Sequence, residues 1–129
     1  MKRKILLIED NEQNRYLATF LLETRGYEVI PAFDGPMGIE LAERVRPELI
    51  LLDIQLPTMD GYAVAREIRS KPELKKIPIV AVTSYAMAGD REKTIEAGCN
   101  GYIEKPINPD TFAGEIERFL VESKTEGSK

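Results

Sequence analysis

Leu49-Ile50-Leu51-Leu52-Asp53 (LILLD, residues 49–53) is four aliphatic residues without alternation, ended by a single aspartate. A strand with one wet face would alternate apolar and polar side chains. An unbroken apolar run fits a strand covered on both faces, as in a parallel sheet layered between helices. Three further runs end the same way. Ile5–Ile8 leads into Glu9-Asp10, Ile79–Val82 into Thr83, and Tyr102-Ile103-Glu104 into Lys105-Pro106. If all four are parallel strands, these endings meet at the carboxyl edge of one sheet, where open α/β sheets bind their ligands.

The segments between the runs carry helical periodicity, so the expected architecture is α/β with a parallel sheet. Asn11 is a good N-cap for a first helix whose inner stripe is expected to be Leu17, Phe20, Leu21 and Thr24, with Gly26 at C′. Tyr27–Ala32 reads as a short second strand. Asp34 caps a second helix with Pro36 in its first turn; Ile39, Leu41-Ala42 and Val45 face inward and Pro47 stops it. Pro57 and Asp60-Gly61 mark a loop before a helix at about Tyr62–Ser70, and Pro72 and Pro78 bracket the approach to the fourth strand. Met87–Ala97 predicts a polar, marginal helix closed by Gly98. Pro109-Asp110 opens a last helix with Phe112, Ile116, Phe119 and Leu120 on its apolar face. The expected organisation is one domain over 1–122 and a polar, frayed tail over 123–129. Strict alternation of five strands and five helices predicts a three-layer sandwich with right-handed crossovers.

The totals narrow the function. A chain of 129 residues, 43% hydrophobic and 31% charged, can bury a real core as one domain. A net charge of −4 with scattered Lys and Arg argues against nucleic acid as a partner. No apolar stretch is long enough for a membrane span and no signal peptide is legible, so a soluble, cytoplasmic protein is expected. Cys99 is the only cysteine and there is no histidine, which excludes Ser-His-Asp and Cys-His catalysis and histidine metal sites. Any phosphohistidine must come from another molecule.

Alone, Asp53 would be read as a turn cap, Lys105 as a surface lysine and Thr83 as an ordinary strand-end residue. Their company changes this. Glu9, Asp10 and Asp53 would crowd negative charge, with repulsion of about 4 kcal/mol per close pair at an effective dielectric near 20. A divalent cation relieves it, and hard oxygen ligands favour Mg²⁺, with Mn²⁺ as the alternative. Lys105 adds a positive charge, held extended by Pro106. Carboxylate, cation, ammonium and hydroxyl together make a phosphoryl-transfer site in which Asp53 is the nucleophile. No GxxxxGK[ST] loop is present, so the donor is not expected to be ATP bound here.

Four segments in order, ILLIEDN, LILLDIQLPTMDG, IPIVAVTSYAM and GYIEKPI, resemble the response-regulator receiver domains of two-component signalling, from about Lys4 to Leu120. The resemblance implies a flavodoxin-like (βα)5 sandwich with strand order 2-1-3-4-5. It implies that Asp53 accepts phosphate from the phosphohistidine of a histidine kinase or histidine phosphotransferase. Mg²⁺ would be held by Glu9, Asp10, Asp53 and the backbone carbonyl of Gln55. Lys105 would contact the phosphoryl group through a cis peptide to Pro106. Thr83 and Tyr102 would form the switch pair that remodels the face of the fourth helix, fifth strand and fifth helix. A stand-alone regulator, monomeric or dimerising on activation, is expected, with no turnover of a separate substrate. Tyr102 read on its residue alone is a half-buried edge aromatic.

Rival readings remain at this point. A haloacid-dehalogenase-type phosphatase needs a second Asp where Gln55 stands, and a flavodoxin-like FMN carrier would set its phosphate against Glu9-Asp10. A module of a larger phosphorelay, or a phosphate sink or scaffold without allosteric output, is not separable by sequence. Neither the donor nor the downstream partner is legible.

Overall fold

The apolar runs form strands. A computed structural model describes residues 2–56, 59–84 and 88–127, without the side chains of 88–89 and 121–127. The strands are β1 (Lys4–Ile8), β2 (Glu28–Ala32), β3 (Leu49–Asp53), β4 (Ile79–Thr83) and β5 (Gly101–Glu104). All pairings are parallel, in the order β2-β1-β3-β4-β5. Five helices alternate with them: α1 (Glu12–Glu23), α2 (Gly35–Val45), α3 (Gly61–Arg69), α4 (Ala88–Glu96) and α5 (Phe112–Gly127). A 3-10 turn at Pro72–Leu74, not foreseen in the sequence, seats Leu74 in the core.

Alternate residues of the central strands feed two cores, as strand geometry requires. Leu6, Ile8, Ile50 and Leu52 face α2 and α3 with Val64, Ala65 and Ile68. Ile5, Leu7, Leu49 and Leu51 face α1 and α5 with Ala18, Leu22, Phe112 and Ile116. Pro31, which has no N–H to give a ladder, lies in edge strand β2.

The capping expectations for Asn11 and Asp34 hold: each accepts from the N–H three residues on, and Pro36 sits in the first turn of α2. Asp60, expected only as part of a loop, caps α3 in the same way. The stripe expected for α1 does not. Phe20 is 54% exposed and Thr24 is exposed, while Ala18 and Leu22 are buried, with Leu21 packed beside them. Small Ala18 lets the helix lie close to the sheet, so the inner face is turned about one residue from the largest side chains. Gly26 adopts φ +90 two residues after the Thr24 cap, one place beyond the C′ position expected. In α2 the closest approaches use glycine: a Cβ on Gly38 would lie 2.5 Å from Ile8 Cδ1. The last helix begins at Phe112 rather than at Pro109-Asp110, and its backbone continues to Gly127, past the boundary expected at 122. Met87 and Pro57 lie outside the described residues, as do Ser128 and Lys129.

Candidate functional site

Four strand ends converge at the carboxyl edge. Glu9 follows β1, Asp53 ends β3, Thr83 ends β4 and Lys105 follows β5. Glu9 and Asp53 are each 3% exposed and Thr83 2%, whereas Asp10 is exposed. One carboxylate oxygen from each of Glu9, Asp10 and Asp53 lies within 4.8 Å of the others. Lys105 Nζ lies 3.2 Å from Asp53 Oδ1 and 3.4 Å from Glu9 Oε1. The Lys105–Pro106 peptide is cis and the Lys105 N–H donates to the Thr83 carbonyl, tying β5 to β4 at the site.

Local structure holds each group in place. The Asn11 N–H donates to Glu9 Oε2 at 3.1 Å, and Arg15 Nη1 donates to the carbonyls of Glu9 and Asp10 at 3.0 and 3.3 Å. Arg15 also lies 4.4 Å over the Phe33 ring, so a guanidinium braces the acidic turn from outside. Asp53 Oδ1 accepts from the Gln55 N–H at 3.0 Å. Gly61 packs against the loop beyond: an added Cβ would be 2.5 Å from Ile54 Cα and 2.7 Å from the Asp53 carbonyl. Sequence reasoning missed Arg15, the close approach at Gly61 and the side chain of Gln55. The first two act through contacts that have no residue-type signature in the chain.

Burial raises the Glu9 carboxyl to about 7, reinforced by hydrogen bonding to Asp53 and by the Asp53 charge; the Asn11 N–H and Lys105 pull weakly the other way. Three clustered carboxylates face one ammonium, which leaves negative charge uncompensated. The donors are hard oxygens with one exposed member, Asp10, open to water. That set fits Mg²⁺, which keeps several waters and takes few carboxylates.

Tyr102 is half-buried on edge strand β5, and the Arg91 guanidinium lies 5.5 Å over its ring. It borders a groove of about 670 Å³ lined by Ile95, Glu104, Arg118 and Phe119 among others. Tyr102 is therefore outside the carboxylate pocket, on the face shared by α4, β5 and α5. Among the described residues no helix is long and apolar enough to cross a membrane.

The sheet order and the acidic, lysine-paired pocket at its carboxyl edge define an α/β protein of the receiver type. Residues 5–117 match the response regulator receiver domain, and the chain belongs to that family. It is 42% identical over 120 residues to the polar-differentiation response regulator DivK of Brucella anthropi, covering 93% of this chain and 98% of that one. The receiver domain of a Pseudomonas aeruginosa sensor histidine kinase, solved with magnesium coordinated in its active-site cleft, superposes with a TM-score of 0.87 at 37% identity. That match covers 94% of this chain and 99% of that one. A CheY-like receiver from Methanospirillum hungatei gives a TM-score of 0.90 at 28% identity, covering 98% and 99%. Membership selects the receiver reading over the phosphatase and FMN-carrier rivals.

Proposed function

We propose that Asp53 is the phosphoacceptor of this receiver and that a histidine kinase or histidine phosphotransferase supplies the phosphoryl group. The observation that carries the reading is a buried aspartate at a strand end, with its Oδ1 held by Lys105 Nζ and the Gln55 N–H inside an acidic cluster. An Asp53 carboxylate oxygen attacks phosphorus, the P–N bond to the donor's imidazole breaks, and an acyl phosphate forms. Lys105, already between two carboxylates, is placed to pair with phosphoryl oxygens, and the Thr83 hydroxyl is one strand away on the same edge. Glu9, Asp10, Asp53 and the Gln55 carbonyl would hold Mg²⁺, with Mn²⁺ as a substitute, whose charge offsets that of the phosphoryl oxygens when bound.

Output runs through Thr83 and Tyr102 to the α4–β5–α5 face, as a cytoplasmic switch that contacts another protein and turns over no separate substrate. Intact-mass measurement after incubation with acetyl phosphate tests the chemistry. One added phosphoryl group is expected on the wild type with Mg²⁺, none without Mg²⁺ and none on Asp53→Asn. Labelling that survives the substitution would overturn the assignment.

A further inference from the structure

Gln55 is bonded into the site at three points. Its backbone N–H donates to Asp53 Oδ1. Its side chain crosses from the loop after β3 to the end of β4, where Nε2 donates to Thr83 Oγ1 at 2.9 Å and Oε1 accepts from the Ser84 N–H at 3.3 Å. The orientation of the amide follows from chemistry: a backbone N–H can only donate, so the carbonyl end must face Ser84 and the NH2 end must face Thr83. β3 and β4 are adjacent, with Asp53 beside Val82 and the Ile54 N–H bonded to the Val82 carbonyl, so the reach is short.

We propose that the Gln55 side chain is a latch on the switch segment, holding Thr83 and Ser84 in the unphosphorylated arrangement until phosphoryl oxygens take them over. The latch rests on the Asp53 reading above. Its grip is of the right kind to be released. Both bonds are made by a neutral amide, the Ser84 bond is long, and Gln55 is only half-buried. A doubly charged phosphoryl group on Asp53 offers charge-assisted acceptors to the Ser84 N–H, which now donates to Gln55, and to the hydroxyl hydrogen of Thr83, whose oxygen now accepts from Gln55. Such bonds are roughly twice as strong as neutral ones. The latch therefore sets how much phosphoryl affinity is spent on moving the end of β4. The ligand shifts the equilibrium only by its differential affinity for the two arrangements. Gln55 is thus a positioning residue acting through Thr83 and Ser84, separate from the metal-binding part assigned to its backbone carbonyl, which every substitution retains.

The probe is beryllium fluoride with Mg²⁺, a phosphoryl mimic, titrated by NMR against wild type, Gln55→Leu, Thr83→Val and the double variant. Gln55→Met, a second apolar replacement, checks that any effect is not particular to leucine. Removing the latch is expected to tighten mimic binding about 3- to 10-fold, the fold-change that one or two neutral hydrogen bonds correspond to. The gain is expected to be smaller in the Thr83→Val background, where one of the two bonds is already gone. Unchanged or weaker binding in both Gln55 variants overturns the latch, as does an equal gain in both backgrounds. A wild type that neither binds the mimic nor is labelled by acetyl phosphate overturns the Asp53 reading and the latch together. A labelled wild type with unaltered Gln55 variants overturns the latch alone.

Discussion

The bodies of the central strands and their carboxyl ends are built on opposite terms. Ile5–Ile8 and Leu49–Leu52 are aliphatic and almost fully buried, with neighbours from helices on both sides. One residue further on, Glu9 and Asp53 are just as buried but ionisable, and together they share one lysine. Burying apolar surface stabilises the fold, whereas burying charge costs free energy unless it is paired. The strand bodies thus support an edge whose clustered negative charge is unfavourable by itself and would be offset by a bound cation.

The largest expected effect is on the strand bodies. Leu51→Ala should destabilise the protein by about 2–5 kcal/mol in denaturant unfolding, the range for emptying a buried leucine site. A loss below 1 kcal/mol would break the contrast.

Next is Gly61→Ala, which forces a Cβ against the Ile54 and Asp53 backbone. A loss of about 3 kcal/mol is expected, with slower acetyl phosphate labelling, because overpacking here displaces the loop that carries Gln55. Wild-type stability and labelling would show that the loop yields freely.

Glu9→Gln tests the strand ends from the other direction. A carboxyl raised from 4.5 to about 7 in the folded protein contributes stability that is fully present below pH 4.5 and lost as pH rises through about 7. In Mg²⁺-free buffer the wild type should therefore lose stability between pH 5 and 8. Glu9→Gln should flatten that slope and be more stable than wild type at pH 8 by about 2 kcal/mol. The same proton must leave when Glu9 ligates a cation, so Mg²⁺ affinity should rise with pH up to about 7 and level off above it. A pH-independent Mg²⁺ titration would show that Glu9 is already ionised.

The smallest effect belongs to α4. Among its described residues only Thr94 is buried, bonding back to the Asp90 carbonyl, while Ile95 is 52% exposed. Ile95→Ala should change stability by less than about 0.5 kcal/mol, in contrast to Ile68→Ala on α3, which removes a fully buried side chain. A large loss at Ile95 would mean that this face is part of the core.

Much of this was legible in the chain because strand bodies and strand ends have different chemistry. Unbroken aliphatic runs marked the buried strands, and the polar residues that stop them marked the pocket. Caps were legible for the same local reason: Asn11 and Asp34 bond three residues on. The inner face of α1 was not, since apolar size pointed to Phe20 while the sheet accepts Ala18 and Leu22. Arg15 under the acidic turn and Gln55 across to Thr83 were also hidden. Their roles depend on where neighbouring strands place the partner, which no pattern within a single segment encodes.

The most direct measurement is to reduce the acyl phosphate with borohydride after Mg²⁺-dependent phosphorylation and to locate the modified residue by peptide mapping. Unlike a substitution, it reads the site in the unaltered protein. Conversion of Asp53 to homoserine, and of no other carboxylate, is the predicted result. Homoserine at Asp10, or 5-hydroxynorvaline at Glu9, would contradict the account.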